Sequence, residues 1–391
     1  EAGLKALADY LAADMQACNQ VIVDRMQSSV ALIPQLAAHL VAAGGKRLRP
    51  LLTLASARLC GYNNQDGRMR HVEIAACVEF IHTATLLHDD VVDDSQLRRG
   101  LASANAIFGN KASVLVGDFL FARSFQILTA DASLDVMAIL SAASATLAEG
   151  EVMQMTTQND LSTSVEQYLQ VIYGKTAALF AAACESGAVI GDVTPADREA
   201  LRVYGANLGM AFQLVDDALD YSADQAVLGK EVGDDFKEGK VTLPVLAAYE
   251  AGSEQDRVFW RRVIEECEQQ PEDLDAALVL IAQTNAIGVT LAKAEEYAAL
   301  ARQALQGSKP RVIPPAAPAK LACGRFGRIG KNADCNAETA FICPPELASG
   351  VQAVQAGCWL ACSGHNVIWL KPKAGRCTRR ASASVGMAVN H

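Results

Sequence analysis

The dominant feature of the sequence is an apolar repeat at three- and four-residue intervals that continues from the first residues to about Gln306. It is clear in LKALADYLAADMQACNQVIVDRM and in RMRHVEIAACVEFIHTATLLHDD, whereas the alternation typical of a half-buried strand is rare. Glycines and asparagines interrupt the repeat at short intervals, as expected between helices. Residues 1–306 are therefore predicted to form one all-α domain, and the abundance of alanine and leucine supports this prediction.

The remaining residues, 307–391, form a proline-, cysteine- and arginine-rich tail with a different composition. The tail carries 11 basic and 3 acidic residues, against 23 and 41 in residues 1–306, and it lacks a sustained repeat. Six of the 11 cysteines lie there, but none forms the closely spaced ligand pair typical of a zinc site. A metal module, a disordered extension and a shifted reading frame in GC-rich DNA are the three interpretations, and we favour the shifted frame.

Charge and hydropathy argue against some classes of protein. The net charge of −10 does not suit nucleic-acid binding, which needs net or clustered positive charge. No apolar run reaches the roughly 18 residues that span a bilayer, and no basic segment followed by an apolar one begins the chain. We therefore expect a cytoplasmic protein without a transmembrane segment.

Two acidic clusters with the same spacing stand out against this apolar background. The first, in LLHDDVVDDSQLRRG, contains Asp89, Asp90 and Asp93, and the second, in FQLVDDALDY, contains Asp216, Asp217 and Asp220. Residues four apart share a helix face, so Asp89 is expected to stack on Asp93, and Asp90 on Asp94. Clustered carboxylates repel one another unless cations are bound, and Mg²⁺ is usually held by one or two carboxylates together with phosphate oxygens. The clusters therefore predict a site for Mg²⁺ and diphosphate.

Basic residues close to glycines are candidate ligands for that diphosphate. GGKRLRP places Lys46, Arg47 and Arg49 where a loop leads into a helix, a favourable place for an anion. The others are Arg98 and Arg99 after the first cluster, Lys175 in YGKT, and Lys230 and Lys240 in GKEVGDDFKEGKVTLP. Any one of these lysines is more often a surface residue, but their co-occurrence with two aspartate clusters favours an anion site.

These segments resemble, in the same order, the motifs of the trans-isoprenyl diphosphate synthases, class I prenyltransferases of the isoprenoid synthase fold. The resemblance rests on GGKRLRP, LLHDDVVDDSQLRRG, YGKT, FQLVDDALDY and GKEVGDDFKEGKVTLP, and it extends over most of residues 1–300. It implies a bundle of long helices around a deep central cavity, with the two aspartate motifs facing each other across its mouth. The implied reaction is Mg²⁺-dependent condensation of isopentenyl diphosphate with an allylic diphosphate, farnesyl or geranyl diphosphate.

The resemblance also assigns roles to individual residues. Three Mg²⁺ ions bridging the allylic diphosphate would be bound by six aspartates: Asp89, Asp90, Asp93, Asp216, Asp217 and Asp220. The same diphosphate would be contacted by Arg98, Lys175 and Lys230, which complete the catalytic set. The diphosphate of isopentenyl diphosphate would be held by Lys46, Arg49, His82 and Arg99, in a site also lined by Thr176, Gln213 and Lys240. Asp224 and Asp234 are outer candidates, and His88 is expected to support the structure.

Product length is expected to depend on the helix that precedes Asp89. Thr85, Ala84 and Ile81 lie four, five and eight residues before Asp89, on the segment predicted to descend into the cavity. In relatives that make short chains, the position of Ala84 resembles a plug filled by an aromatic ring, and alanine leaves room for a longer product. One helical turn rises about 5.4 Å, close to one isoprene unit. The resemblance therefore favours a long-chain enzyme of the octaprenyl, solanesyl or decaprenyl type, which supplies quinone side chains.

Three alternatives to this function stay open. A geranylgeranyl or other short-chain synthase is the main one, because Ala84 permits a long product without requiring it. A terpene cyclase would carry a different second metal motif and would lack GGKRLRP, and a non-catalytic subunit would have lost acidic or basic residues that are present here. From the resemblance we also expect a homodimer, with transient membrane contact during release of the apolar product.

Overall fold

The computed structural model of the protein describes residues 2–42, 45, 47–64, 67–98, 101–222 and 232–306, and the backbone of residues 362, 363, 366 and 367. Over these residues it confirms the predicted all-α fold. The helices, in chain order, are α1 (Ala2–Tyr10), α2 (Ala12–Arg25), α3 (Leu32–Ala42), α4 (Leu48–Leu59), α5 (Arg70–Val92), α6 (Ala104–Phe108), α7 (Asn110–Asp131), α8 (Leu134–Thr157), α9 (Val165–Ile172), α10 (Ala178–Ile190), α11 (Pro195–Asp220), α12 (Asp234–Lys237), α13 (Leu243–Ala251), α14 (Glu254–Trp260), α15 (Asp273–Gln283) and α16 (Ala286–Leu305).

Several helices begin at a residue that caps them. A backbone N–H in the first turn donates a hydrogen bond to the side chain of the capping residue in α6, α8, α9, α11 and α14, where the caps are Ser103, Ser133, Ser164, Thr194 and Ser253. Such caps satisfy donors that have no partner inside the helix, and each contributes about 1 kcal/mol. They fix where the long helices α8 and α11 begin, and thereby the position of the functional residues along each helix.

Helix α5 is the central element of the core. Of its 23 residues, 14 are buried, and it packs against α2, α4, α7 and α10. A helix covered on most sides needs apolar residues around most of its circumference, which explains why the sequence of α5 has almost no polar face. This burial holds the carboxyl-terminal end of α5, with Asp89 and Asp90, in a fixed position.

Helix α11 holds the second aspartate motif. It packs against α10 and α16, and α10 in turn packs against α4 and α8. Asp216 and Asp217 lie in the last turns of α11, and Asp220 is its final residue. Both motifs therefore lie at the carboxyl-terminal ends of long, well-packed helices.

Two short antiparallel hairpins were not predicted. Strand β1 (Leu97–Arg98) pairs with β2 (Leu101–Ala102), and β3 (Cys362–Ser363) pairs with β4 (Asn366–Val367). Strands of two residues are too short to produce an alternating pattern, so the sequence carried no signal for them. The first hairpin has a functional consequence, because it holds Arg98 beside the first aspartate motif.

Helices α7 and α8 are long and apolar enough to cross a membrane when length and composition alone are considered, and α15 with α16 also qualifies if that bent pair counts as one span. Within the fold, 39% of the most apolar window of α7 and 33% of that of α8 is buried. The expectation that no segment is apolar enough for a span is therefore not confirmed. Both helices contain few charged residues, so their mean hydropathy is high, but the polar and charged residues that they do contain interrupt any continuous apolar run.

Candidate active site

The first aspartate motif lies where α5 ends. Asp89 and Asp90 belong to its last turn, and Asp93 caps it, with the Asp93 backbone N–H donating to the Asp89 carbonyl at 2.8 Å. Asp89 and Asp93 are therefore one turn apart, as predicted. The predicted stacking of Asp90 on Asp94 is wrong, because the helix has ended by Asp94, which is exposed and has a left-handed backbone with a φ of +49°.

Asp90 faces the interior of the protein. Its side chain is 2% exposed, and its Oδ1 accepts hydrogen bonds from the Arg98 guanidinium, from Nε at 2.7 Å and Nη2 at 2.5 Å. The buried Asn105 amide donates to the Asp90 backbone carbonyl at 3.0 Å. Asp90 thus binds Arg98, and together with β1 it fixes the place of this guanidinium next to Asp89.

The second aspartate motif has members in different surroundings. Asp216 is exposed, whereas Asp217 is buried and both of its carboxylate oxygens are engaged. The Tyr168 hydroxyl donates to one oxygen at 2.5 Å, and the Gln213 amide donates to the other at 2.7 Å. Asp217 is therefore held by two protein donors, while the Asp216 side chain faces outward.

Lys240 connects the two aspartate motifs. Its Nζ lies 3.5 Å from Asp93 Oδ2 and 3.9 Å from Asp235 Oδ1, and it also contacts Glu238. The Asp235 backbone N–H donates to the Asp220 carboxylate at 3.0 Å. Burial opposes the charge on Lys240, but the three carboxylates outweigh it and raise its pKa above the usual value. Polar contacts therefore run without a break from Asp93 to Asp220.

The segment YGKTA forms a π-helical turn at Tyr173–Ala177, which is linked to the second aspartate motif through Gln213. Such turns displace side chains relative to an α-helix and are frequent at functional sites. The Thr176 hydroxyl donates to Gln213 Oε1 at 2.8 Å, and Gln213 in turn holds Asp217. The predicted site residues Lys175, Thr176 and Gln213 are therefore brought together.

Lys175 forms an ion pair with Glu151 on α8, at 2.8 Å. A Cβ atom added to Gly174 would lie only 2.9 Å from the Gly150 Cα, so glycine is required for α8 and the π-helical turn to pack this closely. This close packing places Glu151 and Lys175 near Asp89, and both charges act on its titration.

Burial raises the pKa of two of the aspartates. The pKa of Asp89 is raised to about 7 by burial, although the nearby Lys175 ammonium opposes the rise. The pKa of Asp217 is raised to about 8, by burial and by the negative charge of Asp235. Carboxylates in such surroundings favour a bound proton or a cation, because either one removes the cost of an ionised buried group.

This donor set fits a hard divalent cation. Three carboxylates are partly or fully exposed, those of Asp89, Asp93 and Asp216, whereas Asp90, Asp217 and Asp220 are buried. In the part of the chain that the structure describes, no three His, Cys, Asp or Glu side chains converge closely enough to hold a metal ion by themselves. Mg²⁺ commonly takes one or two protein carboxylates and completes its coordination with phosphate and water, so this open arrangement suits Mg²⁺ bound together with a diphosphate.

Arg49 and His82 form the basic part of the site. Arg49 Nη1 lies 3.0 Å from His82 Nε2, and the Arg49 guanidinium carbon lies 4.7 Å from the centre of the Phe180 ring. The Thr85 hydroxyl donates to the His82 backbone carbonyl at 2.8 Å. The structure thus brings together Arg49 and His82, as predicted for residues that share an anion.

Several other predicted residues lie elsewhere or outside the described part. Asp234 is half exposed at the start of α12, with its carboxylate 3.6 Å from the Lys237 ammonium. His88 Nε2 lies 3.2 Å from the Val114 carbonyl oxygen and links α5 to α7. The residues outside the described ranges are Lys46, Arg99, Asp224 and Lys230.

The proposed chain-length residues are tightly packed. Ala84 is 0% and Ile81 is 2% exposed, and Thr85 is half-buried above them. A separate cavity of about 420 Å³ lies beside the π-helical turn, between α8, α9, α11 and α16. A product that grows past Ala84 must therefore separate side chains that are in contact in this structure, and the role of these residues stays a prediction.

Residues that the sequence did not single out also contact the predicted ones, among them Asn105, Glu151, Tyr168, Asp235 and Glu238. Asp235 lies inside GKEVGDDFKEGKVTLP, so its acidic character was a usable signal. Glu151 and Tyr168 lie on α8 and α9, in segments without a motif, and only the packing of these helices against α11 and the π-helical turn brings them to the site.

Comparison with known proteins shows the family of the chain. Residues 30–281 match the polyprenyl synthetase family. The chain is 46% identical over 303 residues to octaprenyl diphosphate synthase of Escherichia coli (strain K12), covering 78% of this chain and 92% of that protein. The structure of a decaprenyl diphosphate synthase from Rhodobacter capsulatus superposes with a TM-score of 0.73 at 52% identity, over 77% of this chain and 92% of that chain.

A polyprenyl synthase from Caulobacter crescentus CB15, complexed with calcium and isoprenyl diphosphate, has a TM-score of 0.74 at 53% identity, over 76% of this chain and 90% of that one. The family match, over residues 30–281, includes both aspartate motifs and the basic residues around them. These matches confirm the resemblance derived from the motifs. The chain belongs to the polyprenyl synthetase family.

Proposed function

We propose that the protein is a long-chain trans-polyprenyl diphosphate synthase. It adds isopentenyl diphosphate units, head to tail, to farnesyl or geranyl diphosphate, and its product is octaprenyl diphosphate for a quinone side chain. The observation that carries this proposal is the connection of the two aspartate motifs through Lys240, which contacts Asp93 and Asp235, and through the Asp235 backbone N–H, which donates to Asp220. The 46% identity to an octaprenyl diphosphate synthase supports the long-chain assignment.

In this proposal, the six aspartates have two kinds of role. The three that are partly or fully exposed, Asp89, Asp93 and Asp216, would hold Mg²⁺ together with the diphosphate, and we expect three ions. Bound there, Mg²⁺ supplies positive charge for the departing diphosphate. The buried Asp90, Asp217 and Asp220 hold neighbouring groups in place.

The basic residues stabilise charge as the allylic carbon–oxygen bond breaks. Arg98 and Lys175 lie beside the first aspartate motif, where negative charge develops on the diphosphate, and preorganised cations lower the energy of that state. The resemblance to the family adds Lys230 to this set. The double bond of isopentenyl diphosphate then attacks the allylic cation, and a proton passes to the released diphosphate as the new alkene forms. The reaction needs no nucleophile from the protein.

The incoming isopentenyl diphosphate is held by Arg49 and His82, together with Lys46 and Arg99. The growing chain passes Thr85, Ala84 and Ile81 along α5 and pushes apart the side chains packed there. Burial of each methylene contributes about 0.8 kcal/mol, so a chain in this apolar region is retained between additions and water is kept away from the cation.

The outer face of α7 and α8 supports a homodimer. Leu115 and Phe125 on α7, and Val152 and Met155 on α8, are between 55% and 67% exposed. Large apolar side chains grouped on adjacent helices favour association. In our proposal, a second copy of the chain covers this face in the cytoplasm, and the dimer contacts a membrane only while it releases product.

The division of the chain into a prenyltransferase domain, residues 1–306, and an atypical tail, residues 307–391, is also a proposal. Its support is the change in charge and composition at the boundary, together with the end of α16 at Leu305. Sequencing the last third of the gene tests the shifted-frame interpretation of the tail, and an unshifted frame would contradict it.

The proposed activity is tested by incubating the purified protein with farnesyl diphosphate and labelled isopentenyl diphosphate, with and without Mg²⁺. We expect label in the extracted prenyl products only when Mg²⁺ is present. Asp216→Asn should lower the rate by about 100-fold or more, since it removes a carboxylate that would hold the Mg²⁺ whose positive charge supports the leaving diphosphate. Asp24→Asn is the matched control, because Asp24 lies on α2, outside both aspartate motifs, and its exposed side chain accepts a hydrogen bond from Gln20. Absence of Mg²⁺-dependent incorporation in the wild type would contradict the proposal.

A further inference from the structure

Arg47 lies within the basic motif GGKRLRP, but its side chain is engaged inside the protein. Its guanidinium forms an ion pair with Glu79, a residue on the buried face of α5. The Arg47 side chain is 18% exposed and that of Glu79 is 9% exposed. A guanidinium whose charge is matched by a buried carboxylate is a poor ligand for a second anion, so Arg47 needs a different role from Arg49.

The backbone of Arg47 explains why an anchor is needed there. Arg47 has a φ of +48°, in the left-handed region, and is the residue that precedes α4. This conformation costs a residue with a Cβ atom about 1–2 kcal/mol and persists only where the surroundings hold it. The Arg47 carbonyl also accepts the Leu51 N–H at 3.0 Å, in the first turn of α4. The ion pair with Glu79 therefore holds the residue that sets where α4 begins.

Glu79 and His82 are three residues apart on α5, so their side chains lie on the same side of the helix. Glu79 binds Arg47, and His82 contacts Arg49 at 3.0 Å. The start of α4 is thus attached to α5 at two successive points. Removing the first attachment frees the segment that carries the second.

We propose that the Arg47–Glu79 ion pair positions Arg49 and His82 to bind the diphosphate of isopentenyl diphosphate. Both are positioning residues, since they act through Arg49 and His82 and do not touch the substrate. This inference rests on the proposed function, because it takes Arg49 and His82 as ligands of that diphosphate. The allylic diphosphate is assigned to other residues, among them Arg98 on β1 and Lys175 on the π-helical turn, so its binding should be independent of the ion pair.

The experiment compares Glu79→Gln, Arg47→Met and the double variant with the wild type. Glu73→Gln is the matched control, because Glu73 lies on the same helix and pairs with Arg25 at 3.3 Å in a more exposed position. KM is measured separately for isopentenyl and farnesyl diphosphate, and calorimetry gives the Kd of isopentenyl diphosphate alone, which does not react without an allylic partner. Melting temperatures are recorded for all variants.

We expect Glu79→Gln and Arg47→Met each to raise KM and Kd for isopentenyl diphosphate by about 10- to 100-fold, the usual effect of a small misplacement of binding groups. KM for farnesyl diphosphate should stay at the wild-type value, and so should every constant of Glu73→Gln. The double variant should be no worse than either single one, because the two residues act as a unit. It also leaves neither charge buried alone, so it preserves a folded protein for the comparison.

Three results would overturn the inference. An unchanged Kd in Glu79→Gln would show that the ion pair does not position the site. A raised Kd in Arg47→Met with a normal Glu79→Gln would make Arg47 itself a ligand. Equal losses for both substrates, in step with a lower melting temperature, would give the pair a role in folding alone. Failure of the wild type to elongate farnesyl diphosphate would instead contradict the proposed function, and it is detected before any variant is made.

Discussion

Replacing Tyr168 with phenylalanine tests whether catalysis depends on the hydrogen bonds that hold the buried Asp217 of the second motif in place. Tyr168 is 3% and Asp217 is 4% exposed, and the Tyr168 hydroxyl donates to the Asp217 carboxylate at 2.5 Å. A donor to a buried group in such a place stabilises it by about 1–3 kcal/mol, the cost of leaving that group unsatisfied. Phenylalanine keeps the ring that packs in the core but removes this donor, so Asp217 is left with Gln213 alone.

If that stabilisation is fully used in the transition state, kcat/KM for farnesyl diphosphate should fall by about 10- to 100-fold, since 1.4 kcal/mol corresponds to a factor of ten. The assay is steady-state elongation at saturating isopentenyl diphosphate over a range of Mg²⁺ concentrations. Tyr10→Phe serves as the control, because Tyr10 is 52% exposed on α1. A Tyr168→Phe enzyme with the kcat/KM of the wild type would refute the positioning role given to Asp217.

Three further predictions follow from other parts of the structure. Asp14→Asn should lower the free energy of unfolding by about 2–3 kcal/mol, because two 2.7 Å hydrogen bonds from Arg58 lose their charged acceptor, and guanidinium chloride denaturation measures this loss. Burial raises the pKa of Asp14, but hydrogen bonds from His71 and Arg58 outweigh burial and hold this pKa well below its usual value. The stabilisation is therefore present above the pH at which an unfolded aspartate titrates, and it is lost as the pH falls toward the folded pKa. In metal-free protein, the pKa of Asp89 is raised to about 7 and that of Asp217 to about 8, so the folded state keeps protons that the unfolded state has released. The melting temperature should therefore fall as the pH rises toward these values. An unchanged melting temperature would contradict the assignment. Ala84→Phe should shorten the product to farnesyl or geranylgeranyl length, and an unchanged product would mean that the chain does not pass Ala84. Overpacking by the larger ring should also lower the free energy of unfolding by about 1–3 kcal/mol, which melting curves would show.

The parts of the structure that follow from local sequence were predictable. The apolar repeat predicted the helices, and the spacing of Asp89 and Asp93 predicted their separation by one turn, since both depend on the geometry of a single helix. The two DDxxD motifs, with the basic residues in fixed order around them, identified the family. Each of these signals lies within a short stretch of chain.

The parts that depend on packing between helices were not predictable. The separation of the aspartates into exposed and buried members arises because Arg98 on β1 and Tyr168 on α9 reach Asp90 and Asp217 from other elements. The pairing of Glu151 with Lys175 depends on a π-helical turn that an α-helical repeat does not reveal. Even the stacking of Asp90 on Asp94 failed for this kind of reason, since nothing in VVDDSQ marks where α5 ends.

The central claim, that this polyprenyl synthetase makes a long chain, is tested most directly by the length of its product. The purified protein is incubated with farnesyl diphosphate, an excess of labelled isopentenyl diphosphate and Mg²⁺, and the dephosphorylated products are separated by length. The account predicts that octaprenyl alcohol is the main product, with shorter chains present only at early times. Accumulation that stops at geranylgeraniol, however long the incubation, would contradict it and identify a short-chain synthase.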